Sequence, residues 1–178
     1  MFKHEKVIFI TRTAVLIAIT VVLQALTLQL GNQFLTGSVV NMMLILSVMT
    51  SGITTGLVVS IFTPILPTLF GFGPVWPVVP FIAMGNMALV SAWHFIGNRE
   101  ILNKYISYII AMVAGAAGKF FILYIGIVQL VMPFILGLPE NHIMSVLFSW
   151  PQLVTAAIGG VCAMLVLPPL LKALKKDS

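Results

Sequence analysis

Charged residues are scarce in this sequence. Only 7% of its 178 residues are Asp, Glu, Lys or Arg, whereas 60% are hydrophobic, and the mean hydropathy is +1.15. Soluble domains contain about 25% charged residues, so this chain has too few polar side chains to cover a globular surface in water. The composition predicts an integral membrane protein, with residues 1–178 forming a single membrane domain.

Acidic residues are especially rare, and none falls within an apolar stretch. Glu5, Glu100, Glu140 and Asp177 all lie in tails or polar turns. A carrier driven by protons or sodium ions usually keeps an ionisable acid inside its membrane spans, because a charge there is costly and is retained for function. The sequence therefore predicts no such coupling.

Residue patterns for catalysis, metal binding and nucleotide binding are also missing. His4, His94 and His142 are scattered and Cys162 is the single cysteine, so we predict no metal site, no cofactor and no internal disulfide. The stretch Gly-Ala-Ala-Gly-Lys-Phe at 115–120 lacks the first glycine of a phosphate loop and the hydroxyl residue that follows its lysine. We predict no catalytic residues, and hence a protein that is not an enzyme and needs an external energy source.

Long apolar runs are what the chain does contain. A membrane-spanning helix needs about 20 mainly apolar residues, whereas barrel strands alternate apolar and polar residues over about ten positions. The runs here are continuous, and clusters of glycine, proline and asparagine divide them. The expected fold is an all-α integral membrane bundle of six transmembrane helices, at about 7–30, 38–51, 54–70, 78–96, 106–130 and 144–171.

The basic residues indicate the orientation of this bundle. With six helices, both termini and the 2–3 and 4–5 links share one side, and every basic residue except Lys119 falls on or near it: Lys3, Lys6, Arg12, Arg99, Lys104, Lys172, Lys175 and Lys176. Positive residues stay in the cytoplasm, so we predict a multi-pass protein with cytoplasmic N- and C-termini. Five helices would place the basic C-terminus outside. Since these residues flank apolar spans and form no patch with aromatics, no nucleic-acid partner is expected.

Lys119 is the basic residue that lies inside an apolar span. Burying a lysine at the centre of a bilayer costs about 2.5–3.5 kcal/mol on insertion scales. Lys119 is about 18 Å from either end of the fifth predicted helix, which makes an interface hard to reach. We interpret it as lining a polar cavity; the alternative is a structural lysine that backbone carbonyls or water satisfy.

Further polar side chains, most of them on other helices, are expected near the same outward half of the bundle. The helical rise places them there, and they are Asn41, Asn86, Gln129, Trp150 and Gln152. Together with Lys119 they predict a substrate-binding pocket, since small-molecule sites are mostly apolar with a few convergent polar groups. The alternative is that the amides only join helices, each hydrogen bond contributing about 0.6–2 kcal/mol.

Five short stretches carry a resemblance to a known family. They are Ala-Val-Leu-Ile-Ala at 14–18, Thr-Gly-Ser-Val-Val-Asn at 36–41, Pro-Phe-Ile-Ala-Met-Gly-Asn at 80–86, Gly118-Lys119, and Trp-Pro-Gln-Leu-Val-Thr-Ala at 150–156. In their order and spacing, which cover the whole chain, they resemble the substrate-binding S components of energy-coupling factor (ECF) vitamin transporters.

This resemblance implies a division of labour among subunits. Ala14 and Ala18 would pack against the coupling (T) subunit, which with two ATPase subunits would supply the energy. The chain itself would be a high-affinity binding subunit in a bacterial plasma membrane, with its vitamin pocket open to the outside. The resemblance does not identify the vitamin; Lys119 favours an acid such as pantothenate or a folate.

Two other functions use the same residues. One is a stand-alone facilitator or channel for a small molecule, built on the same polar pocket. The other is a non-transport membrane scaffold whose polar side chains only hold helices together. Ligand binding, and the dependence of uptake on partner subunits, distinguish the three.

Overall fold

Helices occupy nearly all of the chain that the computed structural model describes, residues 2–99, 103–139 and 143–176. They are α1 (Phe2–Gln29), α2 (Gln33–Leu69), α3 (Val79–Ala92), α4 (Lys104–Leu123), α5 (Ile143–Leu147) and α6 (Pro151–Lys176). A 3-10 turn (Trp76–Val78) precedes α3, and π-helical turns extend α3 to Gly97 and α4 to Ile135. These residues contain no strand, so the predicted all-helical fold class is confirmed.

Several of these helices have the length and composition of membrane spans. Within the described residues, five helical stretches are long and apolar enough to cross a membrane: Lys6–Gln29, Gln33–Leu69, Trp76–Gly97, Lys104–Ile135 and Ile143–Leu174. Large apolar side chains also cover the outside of the bundle, for example Leu165 and Val113. A helix that is apolar on its outer face suits a lipid environment. These features indicate a membrane protein, as the composition predicts.

The helix α2 turns back on itself at Gly52. Gly52 has a φ of 86° and a ψ of 174°, a conformation that essentially only glycine adopts. A Cβ added to Gly56 would lie 2.8 Å from the Cβ of Val48, although residues eight apart in a straight helix are separated by about 12 Å. The chain therefore reverses direction, and residues 33–51 lie beside residues 53–69. This division is close to the one predicted between 38–51 and 54–70.

The last two predicted helices differ from the observed ones. The fifth was expected to end near 130, but π-helical turns carry it through Pro133 to Ile135. The sixth was expected to run unbroken from 144, but α5 ends at Leu147 and α6 begins at Pro151. Proline lacks the backbone N–H that would continue the helix, which explains the interruption at Pro151. From there α6 runs to Lys176, beyond the predicted end at 171.

Close contacts between α2 and α6 form the centre of the bundle. A Cβ added to Gly159 would lie 2.7 Å from both the carbonyl oxygen of Ser38 and the Cβ of Asn41. A Cβ added to Gly37 would lie almost as close to α6, at 2.9 Å from the Cγ2 of Thr155. Small residues let membrane helices pack backbone to backbone, and here they bring Asn41 and Thr155 together.

The two ends of the bundle carry different side chains. Arg12 shares a recess with Thr50, Ser51 and Leu174, and Lys104 shares a neighbouring one with Met49, Asn98 and Leu171. Basic residues of α1 and α4, and the C-terminal part of α6, therefore gather where α2 reverses. The opposite end holds Gln24, Gln33, Gln152 and the loop 72–74, which surround an open cavity.

Replacing Gly52 with alanine is expected to destabilise the protein through the backbone alone. No heavy atom of the described residues lies within 4 Å of the position that a Cβ would occupy, so the substitution causes no clash with them. The backbone conformation is nevertheless strained for any L-residue, by about 1–3 kcal/mol. Gly118→Ala is the matched control, because its Cβ would also have room, with the nearest atom at 3.7 Å, and its backbone is helical. Equilibrium unfolding of both variants in the same detergent measures the difference in their free energies of unfolding. Equal free energies of unfolding would contradict a strained backbone at Gly52.

Candidate functional site

Lys119 of α4 is buried inside the bundle, with only 4% of its surface exposed. Its Nζ donates hydrogen bonds to Asn41 Oδ1 at 2.6 Å and to Asn86 Oδ1 at 2.8 Å. Hydrogen bonds from an ionised donor are shorter and roughly twice as strong as neutral ones. Three of the predicted site residues, from three different helices, therefore meet at one ammonium group.

The amide nitrogens of both asparagines are also bonded. Asn41 Nδ2 donates to Thr155 Oγ1 at 3.3 Å, and Asn86 Nδ2 donates to the carbonyl oxygen of Ser60 at 3.5 Å. That carbonyl has no helical donor, because the residue four positions later is Pro64, which lacks an N–H. These bonds keep each amide oxygen turned toward the ammonium, and they join α2, α3, α4 and α6.

Gln152 satisfies a carbonyl that another proline leaves unpaired. Its Nε2 donates to the carbonyl oxygen of Leu147 at 3.0 Å, four residues before Pro151. Its own carbonyl oxygen accepts from Thr155 Oγ1 at 3.2 Å, which connects it to Asn41. Gln152 thus stabilises the break between α5 and α6, and its side chain lines the cavity next to that break.

A cavity of about 260 Å³ lies beside Lys119, at the end of the bundle away from the other basic residues. Its polar wall contains Gln24, Gln33, Thr36, Thr63 and Gln152, with Asn86 and Lys119. Its apolar wall includes Leu28, Phe72, Ile82, Leu123, Leu147 and Phe148. A mostly apolar concave surface with a few convergent polar groups is typical of small-molecule sites. Asn41 is fully buried and holds Lys119 without lining the cavity.

The structure does not bring Gln129 and Trp150 into this cavity. Gln129 lies in the π-helical segment, where residues five apart share a face, and its exposed side chain donates to Tyr124 Oη at 3.2 Å. Trp150 is more than half exposed and packs against Phe34, with ring centroids 5.8 Å apart. Counting depth along a regular helix could not reveal either orientation, because both residues lie where the regular α-helix is altered or interrupted.

Sequence reasoning missed Gln24 of α1. Its Oε1 is buried and has no hydrogen-bond partner within the described part of the chain, and the residue lines the cavity. Its position was a usable signal, since Gln24 is a polar residue well inside the first predicted helix, just as Asn86 is inside the fourth. Gln33, Thr36 and Thr63 sit near helix ends or prolines, where polar residues are common, and carried no comparable signal.

Ala14 and Ala18 lie on the outside of the bundle. Both are exposed and line a shallow apolar groove between α1 and the second half of α2, with Ile17, Val21, Val22, Phe62, Leu66 and Phe70. The groove is separate from the cavity, and none of the described residues lines both. An exposed apolar groove that contains small residues allows close approach of another helix.

Comparisons of this chain with protein-family models, with curated proteins and with solved structures find no match. Across the described residues, no three His, Cys, Asp or Glu side chains are grouped so that they could hold a metal ion. The groups that the described residues bring together at the site are the buried ammonium, the amides around it and the apolar side chains of the cavity.

Proposed function

We propose that this chain is the membrane-embedded, high-affinity substrate-binding subunit of an ECF-type ABC importer. In this role it captures a vitamin or related small nutrient from outside the cell and delivers it inward. A T subunit and two ATPase subunits supply the energy for that delivery. The observation that carries the proposal is the cavity beside Lys119, whose ammonium is held ready by Asn41 and Asn86.

We further propose six membrane crossings in a bacterial plasma membrane, with both termini in the cytoplasm. A straight helix of the 37 residues of α2 would be about 55 Å long, whereas the hydrocarbon core is about 30 Å thick. The reversal at Gly52 supports two crossings within α2. With six crossings, the end that carries Arg12 and Lys104 faces the cytoplasm, and the cavity opens outward.

The groove at Ala14 and Ala18 supports a partner on the outer face of α1. Its side chains are apolar, and a lipid chain or a helix of another subunit could cover them. Helix association in membranes depends on close packing rather than on the hydrophobic effect, so alanines one turn apart favour a helix. In the proposed assembly this helix belongs to the T subunit.

Ligand capture follows from the arrangement of the cavity. The Lys119 ammonium attracts a group that is negatively charged or a strong hydrogen-bond acceptor, and the apolar wall takes the rest of the molecule out of water. The two asparagines already orient the ammonium before the ligand arrives, so little ordering is required on binding. Preorganisation of this kind raises affinity by reducing the entropy lost on association.

The purified chain alone is expected to bind its nutrient with submicromolar affinity, whereas uptake into vesicles is expected only with the T subunit, the ATPases and ATP. Binding needs only the cavity, but release inward needs energy that the partners provide. Calorimetric titration and radiolabelled uptake measure the two properties. Uptake by this chain alone would favour a facilitator. A scaffold would be favoured if no small nutrient bound and Lys119→Ala changed neither stability nor uptake.

A further inference from the structure

We infer that the ligand of this cavity is a small monocarboxylate that also carries a hydrogen-bond donor, such as a hydroxyl or an N–H group. The inference rests on the proposed function, because it names the chemical class of nutrient that the binding subunit captures. Charge, an unpaired acceptor and volume each support one part of it.

The charge of the cavity comes from Lys119. Among the described residues of the lining, it is the only ionisable side chain. Within the part of the chain that the structure describes, two of the three N–H groups on its Nζ are used by Asn41 and Asn86, which leaves one for a ligand. One positive charge and one free donor match a carboxylate, whereas a phosphate dianion would need more positive charge and more hydrogen-bond donors. A cationic ligand would place a second positive charge beside a buried one, which is strongly unfavourable.

The unpaired acceptor is Oε1 of Gln24. This atom is buried, has no hydrogen-bond partner within the described residues, and belongs to a side chain on the cavity wall. Buried acceptors in native proteins are nearly always paired, so a rotation of the Gln24 amide that brings Oε1 to the cavity surface would let a ligand N–H or O–H group pair with it. Gln24 lies on α1 and Lys119 on α4, so a ligand that binds both connects two helices across the cavity.

The volume limits the rest of the molecule. About 260 Å³ is just below the range of about 300–1,000 Å³ that is usual for drug-sized ligands. Beyond the polar groups the wall presents Leu28, Phe72 and Phe148, which suit a short apolar section. The part of the ligand held inside the cavity is therefore acyclic or a small ring, and a conjugate as large as a folate would extend beyond this volume.

The test is the retention of small nutrients by the full chain, purified in detergent. The chain is mixed with water-soluble vitamins and a yeast extract, separated from unbound compounds by gel filtration, and the bound compounds are identified by mass spectrometry. The mixture pairs two carboxylates that carry a donor, pantothenate and biotin, with their neutral counterparts panthenol and biotinamide. Nicotinate, a carboxylate without such a donor, is included together with nicotinamide as a contrast. We expect a carboxylate that carries a donor to be retained, and its neutral counterpart to bind at least about 10-fold more weakly. Retention of nicotinate alone would contradict the requirement for a donor.

Two variants assign this preference to the named atoms. Lys119→Met keeps most of the side-chain length without the charge, and is expected to lower the affinity for the retained carboxylate about 10-fold or more. Gln24→Leu removes the acceptor and is expected to lower it about 3- to 10-fold. Lys104→Met, at the opposite end of the bundle, is the matched control and should bind like the unmodified chain. The comparison of acid and neutral counterpart needs no variant, so it holds even where a substitution impairs folding.

The possible outcomes separate this inference from the proposed function. Retention of a neutral or cationic compound, with no carboxylate, would overturn the inference and still support a binding subunit. Retention of nothing would contradict the proposed function itself. A retained carboxylate that bound Lys119→Met as tightly as the unmodified chain would show that its charge is recognised elsewhere, and would also overturn the inference.

Discussion

A chain that carries both Ala14→Trp and Ala18→Trp is expected to bind its ligand normally and to lose assembly with the T subunit, and therefore to lose uptake. Residues four apart share one face of a helix, and these two line the apolar groove beside Phe62 and Leu66. Two indole rings there would hold a partner helix several ångströms from α1. Among the residues that the structure describes, the cavity shares no lining residue with the groove, so binding should be preserved. Co-purification with the T subunit, vesicle uptake and calorimetric titration measure the three effects.

The matched control for this pair is Ile109→Trp with Val113→Trp. These residues are also four apart, and they are 49% and 61% exposed on α4. They lie outside the groove, so assembly and uptake should be unchanged. If the Ala14 and Ala18 variant still assembled, the proposed T-subunit interface would be wrong. If the control lost assembly as well, the effect would come from bulk on any lipid-facing helix rather than from the groove.

Replacing Asn41 with leucine is expected to be the most destabilising change at the site. It removes the acceptor that lies 2.6 Å from Lys119 Nζ and the donor to Thr155. A hydrogen bond to a charged group contributes about 1.5–3 kcal/mol, and here its loss leaves a buried ammonium short of an acceptor. Equilibrium unfolding in mixed detergent micelles measures the loss. Asn98→Leu, which changes an exposed asparagine at the other end of the bundle, should stay within about 0.5 kcal/mol.

A double-mutant cycle shows whether this effect acts through the charge. In a Lys119→Met background there is no buried ammonium, so Asn41→Leu should cost less than it does in the unmodified chain. Contacting residues in one hydrogen-bond network usually show coupling energies of about 0.5–3 kcal/mol. Strictly additive changes would contradict the arrangement, and would imply that Asn41 stabilises the bundle through its contact with Thr155 alone.

Much of the site could be predicted because Lys119, Asn41 and Asn86 obey a simple constraint. A lysine in the middle of an apolar helix must find polar partners, and the helical rise alone places the two asparagines at compatible depths. The depth of a residue in the membrane does not reveal which face of the helix its side chain occupies. Gln129 shows this, since its depth suggested the pocket while the π-helical winding turns it toward Tyr124.

Prolines illustrate the same division between local and tertiary information. The sequence alone shows that Pro64 and Pro151 each leave a carbonyl without a helical donor four residues earlier. It does not show which side chain supplies the missing donor. In the folded chain Asn86 reaches the carbonyl of Ser60 from another helix, whereas Gln152 reaches that of Leu147 from the next turn.

The sequence by itself determined that this protein is helical and suited to a membrane, because those properties depend on the solvation of each apolar run and of its backbone. The tertiary structure decided how the polar groups meet. It set the reversal at Gly52, the contact of Gly159 with α2, the burial of Gln24 Oε1 and the position of the cavity. These depend on which faces of distant helices pack together, and no local pattern of charge or hydropathy specifies that.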